Sequence, residues 1–130
     1  MRENEISGEI VDAAFEVRTR LGPGLLETVY EATLAHELSK KGLAVERQVA
    51  VPIVYDDLEF DEGFRADLIV DDRLIVELKS VEKVIPVHSK QLLTYLRLMD
   101  KRLGLLINFN TDRIKNGISR VVNELEDADF

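Results

Sequence analysis

The chain has no cysteine, no tryptophan, three prolines and two histidines among its 130 residues. Without cysteine there can be no disulfide, thiolate zinc site, iron–sulfur cluster or cysteine nucleophile. His36 and His88 are too few for a histidine-only metal site, and no motif partners either of them. No apolar run approaches the ~20 residues that a membrane helix needs. The opening residues, Met1 to Glu5, lack the apolar core of a secretory leader, so a cytoplasmic protein is expected. Positive charge is also scarce: 17 Lys and Arg stand against 25 Asp and Glu, for a net charge of −8. Taken as an average, that balance argues against a nucleic-acid partner. What is present is 45% hydrophobic residues, enough for a core, and 32% charged residues to solvate its surface. The length fits one domain over residues 1–130.

The charge is unevenly spread. Residues 1–77 hold 8 basic and 18 acidic groups, a net of −10, whereas residues 78–120 hold 9 basic groups against 3 acidic ones, a net of +6. The last ten residues contribute −4. An acidic protein with one side turned toward a polyanion would show this asymmetry.

Ile6, Ile10, Ala13, Ala14, Val17 and Leu21 recur at steps of three and four, which predicts an amphipathic helix over residues 3–21. Leu21-Gly22-Pro23-Gly24 breaks it, and a second helix starts near Gly24 or Leu25 and stops at Gly42. Residues 44–55 read as a strand, with Pro52 pointing to an edge or a bulge. Residues 59–70 and 73–81 read as two further strands joined at 71–73. Val87 to Lys101 reads as a helix, Leu103 to Phe109 as a buried strand, and residues 112–125 as a closing helix. The order α-α-β-β-β-α-β-α predicts an α/β fold, a mixed sheet of about four strands flanked by helices.

A three-residue loop at 71–73 would oppose Ala66 to Leu78, Leu68 to Val76 and Val70 to Leu74 on one apolar face. The other face would oppose Arg65 to Lys79, Asp67 to Glu77 and Ile69 to Ile75. Like charges then meet twice, which is unfavourable unless something compensates. A divalent cation between Asp67 and Glu77 would do so, and oxygen ligands suit Mg²⁺ or Mn²⁺. The alternative is a solvated face whose charges pair diagonally, Asp67 with Lys79 and Glu77 with Arg65. A two-residue loop would shift the register and dissolve the pairing.

Asp67, then nine residues, then Glu77-Leu78-Lys79 resembles the signature of the PD-(D/E)XK nuclease superfamily, with Ala66 where the nominal proline would stand. Gly24-Leu25-Leu26-Glu27-Thr28-Val29-Tyr30 is similar to the motif that names the GxxExxY protein family, a small branch of that superfamily. Gln91-Leu92-Leu93-Thr94-Tyr95 resembles the QxxxY element of RecB-like nucleases, on the helix after the ExK strand. The resemblance implies a restriction-endonuclease-like core in which Asp67 and Glu77 hold Mg²⁺ or Mn²⁺. It implies that Lys79 orients or activates the attacking water and stabilises charge on the phosphate. The chemistry needs these types, because acids hold a hard cation and a cation near developing charge lowers the barrier.

Four other groups of residues follow from the same resemblance or from helical spacing. Glu27 is expected to complete the metal site, the alternative being an acid that complements a helix N-terminus. Tyr30 is either a packing residue or a hydrogen-bond donor to phosphate. Gln91 and Tyr95 share a helix face and are expected to contact substrate or the active site. Lys90, Arg97 and Lys101 form a basic stripe, which would touch phosphates if it borders the cleft. The expected function is metal-dependent hydrolysis of nucleic acid, DNA rather than RNA, with a homodimer as one way to cut both strands. The alternative is a nuclease-like module that binds nucleic acid or a protein partner without cutting. Either way the acidic total predicts weak, salt-sensitive binding at one site.

Overall fold

The computed structural model describes residues 1–125. Two helices come first, α1 (Glu3–Leu21) and α2 (Glu27–Lys40). Strands β1 (Val45–Tyr55), β2 (Leu58–Val70) and β3 (Leu74–Lys79) follow, then α3 (Pro86–Met99) and β4 (Leu103–Asn108). A 3-10 turn (Ile114–Gly117) leads into β5 (Ile118–Val122). The five strands lie in sequence order in one sheet, with β3 and β4 parallel and every other neighbour antiparallel. The parallel pair needs a crossover, and α3 supplies it.

The sheet is covered on both faces. Ile6, Ile10, Ala13, Ala14 and Val17 of α1 join Leu34 and Leu38 of α2 over Leu68, Val70, Val76, Leu105 and Ile107. On the other face Leu92 and Leu96 of α3 pack over Ile69, Ile75 and Leu106. Double cover explains why β4 is buried throughout and β3 up to Leu78, so that both are mostly apolar, with Glu77 the exception in β3. α3 comes close because Gly104 lies beneath Leu92, where an added Cβ would meet three Leu92 carbons at 3.0 Å. Among the described residues no helix is long and apolar enough to cross a membrane.

One expected element is different. Residues 112–125 do not form a closing helix; they turn at Ile114–Gly117 and add β5 to the free edge of β4. Gly117 would weaken a helix interior, and Ile118, Val121 and Val122 favour a strand. Gly117 also passes close to the Asn108 carbonyl, which an added Cβ would approach to 2.2 Å. The sheet therefore has five strands rather than about four.

Candidate active site

The site begins with a fault in the sheet. β1 and β2 pair Arg47 with Leu68 and Val49 with Ala66, skipping Gln48 and Asp67 between them. Gln48 has a left-handed backbone, φ 50°. Across it the alternation inverts: Val45 packs on the α1–α2 side, whereas Val49, Val51 and Ile53 pack on the α3 side. β2 inverts at the same level, with Leu68 and Val70 on one side and Ala66 and Phe64 on the other.

The pairing of β2 with β3 ends here too. Leu68–Val76, Ile69–Ile75 and Val70–Leu74 pair as a loop at 71–73 requires, and the ladder stops at Leu68. The expected pairs Ala66–Leu78 and Arg65–Lys79 do not form, because the inversion takes Ala66 to the opposite face. Arg65 turns back onto Glu62, at 2.6 and 3.0 Å, and onto the Gln48 carbonyl at 3.1 Å. Neither the opposed cations nor the diagonal Glu77–Arg65 pair is present.

Asp67 fills the fork left where the strands part. Its Oδ2 accepts the Leu78 N–H at 2.8 Å, taking the place of a strand partner, and its Oδ1 accepts from Gln48 Nε2 at 3.3 Å. Across the fork lies Glu77, only 8% exposed. Burial raises the Glu77 pKa most, the adjoining Asp67 carboxyl raises it further, and Lys79 opposes both; the result is about 9. Glu77 Oε1 is buried with no hydrogen-bond partner among the described residues. An orphaned carboxyl oxygen beside a second carboxyl is costly in an isolated protein, and it is what a cation ligand looks like without its cation.

α3 closes one side of this pair. The Tyr95 ring stacks on Phe64 with centroids 3.9 Å apart and planes 4° from parallel. Burial raises the pKa of its hydroxyl, as does the negative charge of Glu77 and Asp67, while a hydrogen bond from Gln91 lowers it. Asp67, Glu77, Lys79, Gln91 and Tyr95 are thus gathered at one end of β3.

The remaining candidates are placed elsewhere. Glu27 is exposed on the first turn of α2, and among the described residues no three acidic or imidazole side chains cluster closely enough to hold a metal. Among the described residues the carboxylate pair has no third acid close enough to share a cation. Two are compatible with Mg²⁺, which commonly takes one or two carboxylates plus water and substrate phosphate. Lys101 reaches the Asp72 carbonyl and carboxylate at 2.7 and 3.0 Å, at the opposite end of β3 from Lys79, about 15 Å away at the rise of a strand. It pins the 71–73 turn and is no part of the cleft. Arg97 lies near that same end of α3, and only Lys90 of the stripe adjoins Gln91. Both are exposed.

Tyr30 is a packing residue, not a phosphate donor. It is fully buried, its ring stacks on Phe109 at 4.4 Å, and its hydroxyl is used up. That hydroxyl donates to the Gly22 carbonyl at 2.7 Å and accepts the Leu25 N–H at 3.0 Å. The Gly22–Leu25 loop is thereby clamped, and Ser80 Oγ donates to the Leu25 carbonyl at 2.7 Å, tying the loop to the end of β3. Tyr30→Phe should leave the Leu25 N–H without its partner and cost about 1–3 kcal/mol, measurable by urea unfolding.

Three residues of the site were not picked out from the sequence. Asn108 is buried and holds the segment after Lys79, accepting the Val81 N–H at 3.1 Å and donating to the Val81 carbonyl at 2.9 Å. A lone amide in the apolar run 103–109 was its signal. Glu31, four residues after Glu27 and so on the same helix face, is buried, and Gln48 bridges it to Asp67. His88, for which the sequence offered no partner, accepts the Ile85 N–H on Nδ1 at 3.2 Å and so caps α3.

A mixed sheet with an Asp and an ExK pair meeting where two strands part defines a nuclease-like protein. The family model for the PD-(D/E)XK nuclease superfamily matches residues 4–121, and the chain belongs to that superfamily. No curated protein and no solved structure matches it.

Proposed function

We propose that this protein hydrolyses phosphodiester bonds of nucleic acid, DNA in the first instance, in a reaction that depends on a divalent metal. The observation that carries this reading is the buried Glu77 carboxyl, set against Asp67 with one oxygen unpartnered. Asp67 and Glu77 would hold Mg²⁺ or Mn²⁺, which lowers the pKa of bound water and neutralises phosphate charge.

The chain's own residues do the rest. The Leu78 N–H and the Gln48 amide fix the Asp67 carboxylate before substrate arrives. Lys79, half-buried and within electrostatic reach of Glu77, presents a cation to the charge that develops on the phosphate. Tyr95 and Gln91 offer a hydroxyl and an amide from α3 to orient a phosphate oxygen or a water. Lys90, exposed and next to Gln91 in the chain, would meet the next stretch of backbone, and binding would weaken with salt accordingly.

The test is incubation of generic single- and double-stranded DNA, and of RNA, with Mg²⁺ or Mn²⁺. Wild-type protein should cut DNA only with metal, and Asp67→Asn should not cut. Binding without cutting, unchanged in Asp67→Asn and indifferent to metal, would instead assign the fold to a non-cleaving module.

A further inference from the structure

We propose that Glu31 is a positioning residue for Asp67, acting through the side-chain amide of Gln48, and that the left-handed backbone at Gln48 serves to aim that amide. The inference rests on the reading of Asp67 as a metal-holding carboxylate and extends it to two residues that neither touch substrate nor ligate the ion.

A side-chain amide has two N–H donors on one nitrogen. Gln48 Nε2 spends both, one on Glu31 Oε1 at 2.5 Å and one on Asp67 Oδ1 at 3.3 Å. Glu31 cannot itself be a free ligand. It is 5% exposed, and its other oxygen accepts from Arg47 Nε at 3.1 Å, which also balances its charge. Its fixed position on α2 makes it an anchor, and Gln48 carries that anchorage to the catalytic strand. With Oδ2 on the Leu78 N–H as well, Asp67 is held at both oxygens, and each keeps a lone pair for a cation.

The backbone supports the same assignment. A non-glycine residue in the left-handed region is strained, and glycine would adopt φ 50° without cost. Arg65 Nη1 braces the turn by donating to the Gln48 carbonyl at 3.1 Å. A glutamine at a position that suits glycine is accounted for by what its side chain does. Groups that orient metal ligands in this way typically govern affinity by ~10–100-fold.

The test compares full-length wild type, Gln48→Gly, Glu31→Leu and the double variant. Thermal melting is measured without metal and Mn²⁺ affinity by calorimetric titration. Gln48→Gly relieves the strain but leaves the buried Glu31 Oε1 without its donor, so the two should offset and melting should stay close to wild type, while Mn²⁺ binds ~10–100-fold more weakly. Glu31→Leu should weaken Mn²⁺ binding similarly, and the double variant should be no worse than Gln48→Gly, since the two act as one unit. Wild-type affinity in Gln48→Gly, or losses that simply add in the double variant, would overturn the proposal. If wild type itself takes up no Mn²⁺, the metal-site reading beneath it is what fails.

Discussion

Glu77→Gln should abolish cleavage and, at the same time, make the metal-free protein more stable at neutral pH. The two effects have one origin. In the folded chain Glu77 is held up to about 9, chiefly by burial and then by Asp67, against an ordinary value of 4.5. A carboxyl raised in the folded state contributes its full stabilisation only below the unfolded value. That contribution is lost progressively as pH climbs from 4.5 toward 9, because the unfolded chain releases a proton that the folded chain retains. At pH 7 the loss is on the order of 3 kcal/mol. Glutamine has no proton to lose and can donate to the Asp67 carboxylate beside it. Its Tm should therefore exceed that of wild type by roughly 10 °C at pH 7 without metal, with the gap closing toward pH 4.5. Melting curves across this range check it. A variant that melts below wild type at pH 8 would mean Glu77 is a structural group and not a site held at a cost.

Lys79→Met should lower kcat by ~10²–10³-fold while changing KM little, the loss expected when a charged group stabilises the transition state more than the bound substrate. The fold should survive, because the structural bond at this position is made by the backbone: the Lys79 carbonyl accepts the Phe109 N–H at 3.0 Å. Lys79 is also the one charge opposing the rise in the Glu77 pKa, so the variant should need more metal for half-saturation. Single-turnover rates taken at saturating Mn²⁺ separate the two contributions. A variant that loses only KM would place Lys79 in substrate binding alone.

Much of the frame was legible because its patterns are local. Two apolar strands around Asp71-Asp72-Arg73 left a three-residue and a two-residue loop open, and Leu68–Val76 to Val70–Leu74 pair as the three-residue loop requires. Asp67, Glu77 and Lys79 stood out in the hairpin and Gln91 and Tyr95 through the resemblance to the QxxxY element, and the fold brings all five to one end of β3. What was hidden depends on geometry that spacing does not encode. Strict alternation carries Ala66 onto the same face as Leu68, but β2 inverts at Asp67, level with the left-handed turn at Gln48 of β1, and Ala66 falls on the other face. At that level the β2–β3 ladder stops, leaving the fork in which Asp67 sits. Residues 112–125 carry apolar groups that suit a helix, but the unpaired edge of β4 draws 118–122 into a fifth strand. Tyr30 and Lys101 carry groups fit for phosphate, and both are consumed by internal partners at 2.7 to 3.0 Å. The net charge of −8 is a formal average that counts Asp67 and Glu77 and hides the basic stretch 78–120.

The most direct measurement is a Mn²⁺ titration of the wild-type protein followed by electron paramagnetic resonance, alongside Asp67→Asn and Glu77→Gln. If the unpartnered oxygen of Glu77 and the fixed carboxylate of Asp67 form a cation site, the free-ion signal should be depleted by wild type and left nearly intact by either variant. Equal uptake by all three would contradict a metal site at the β2–β3 fork.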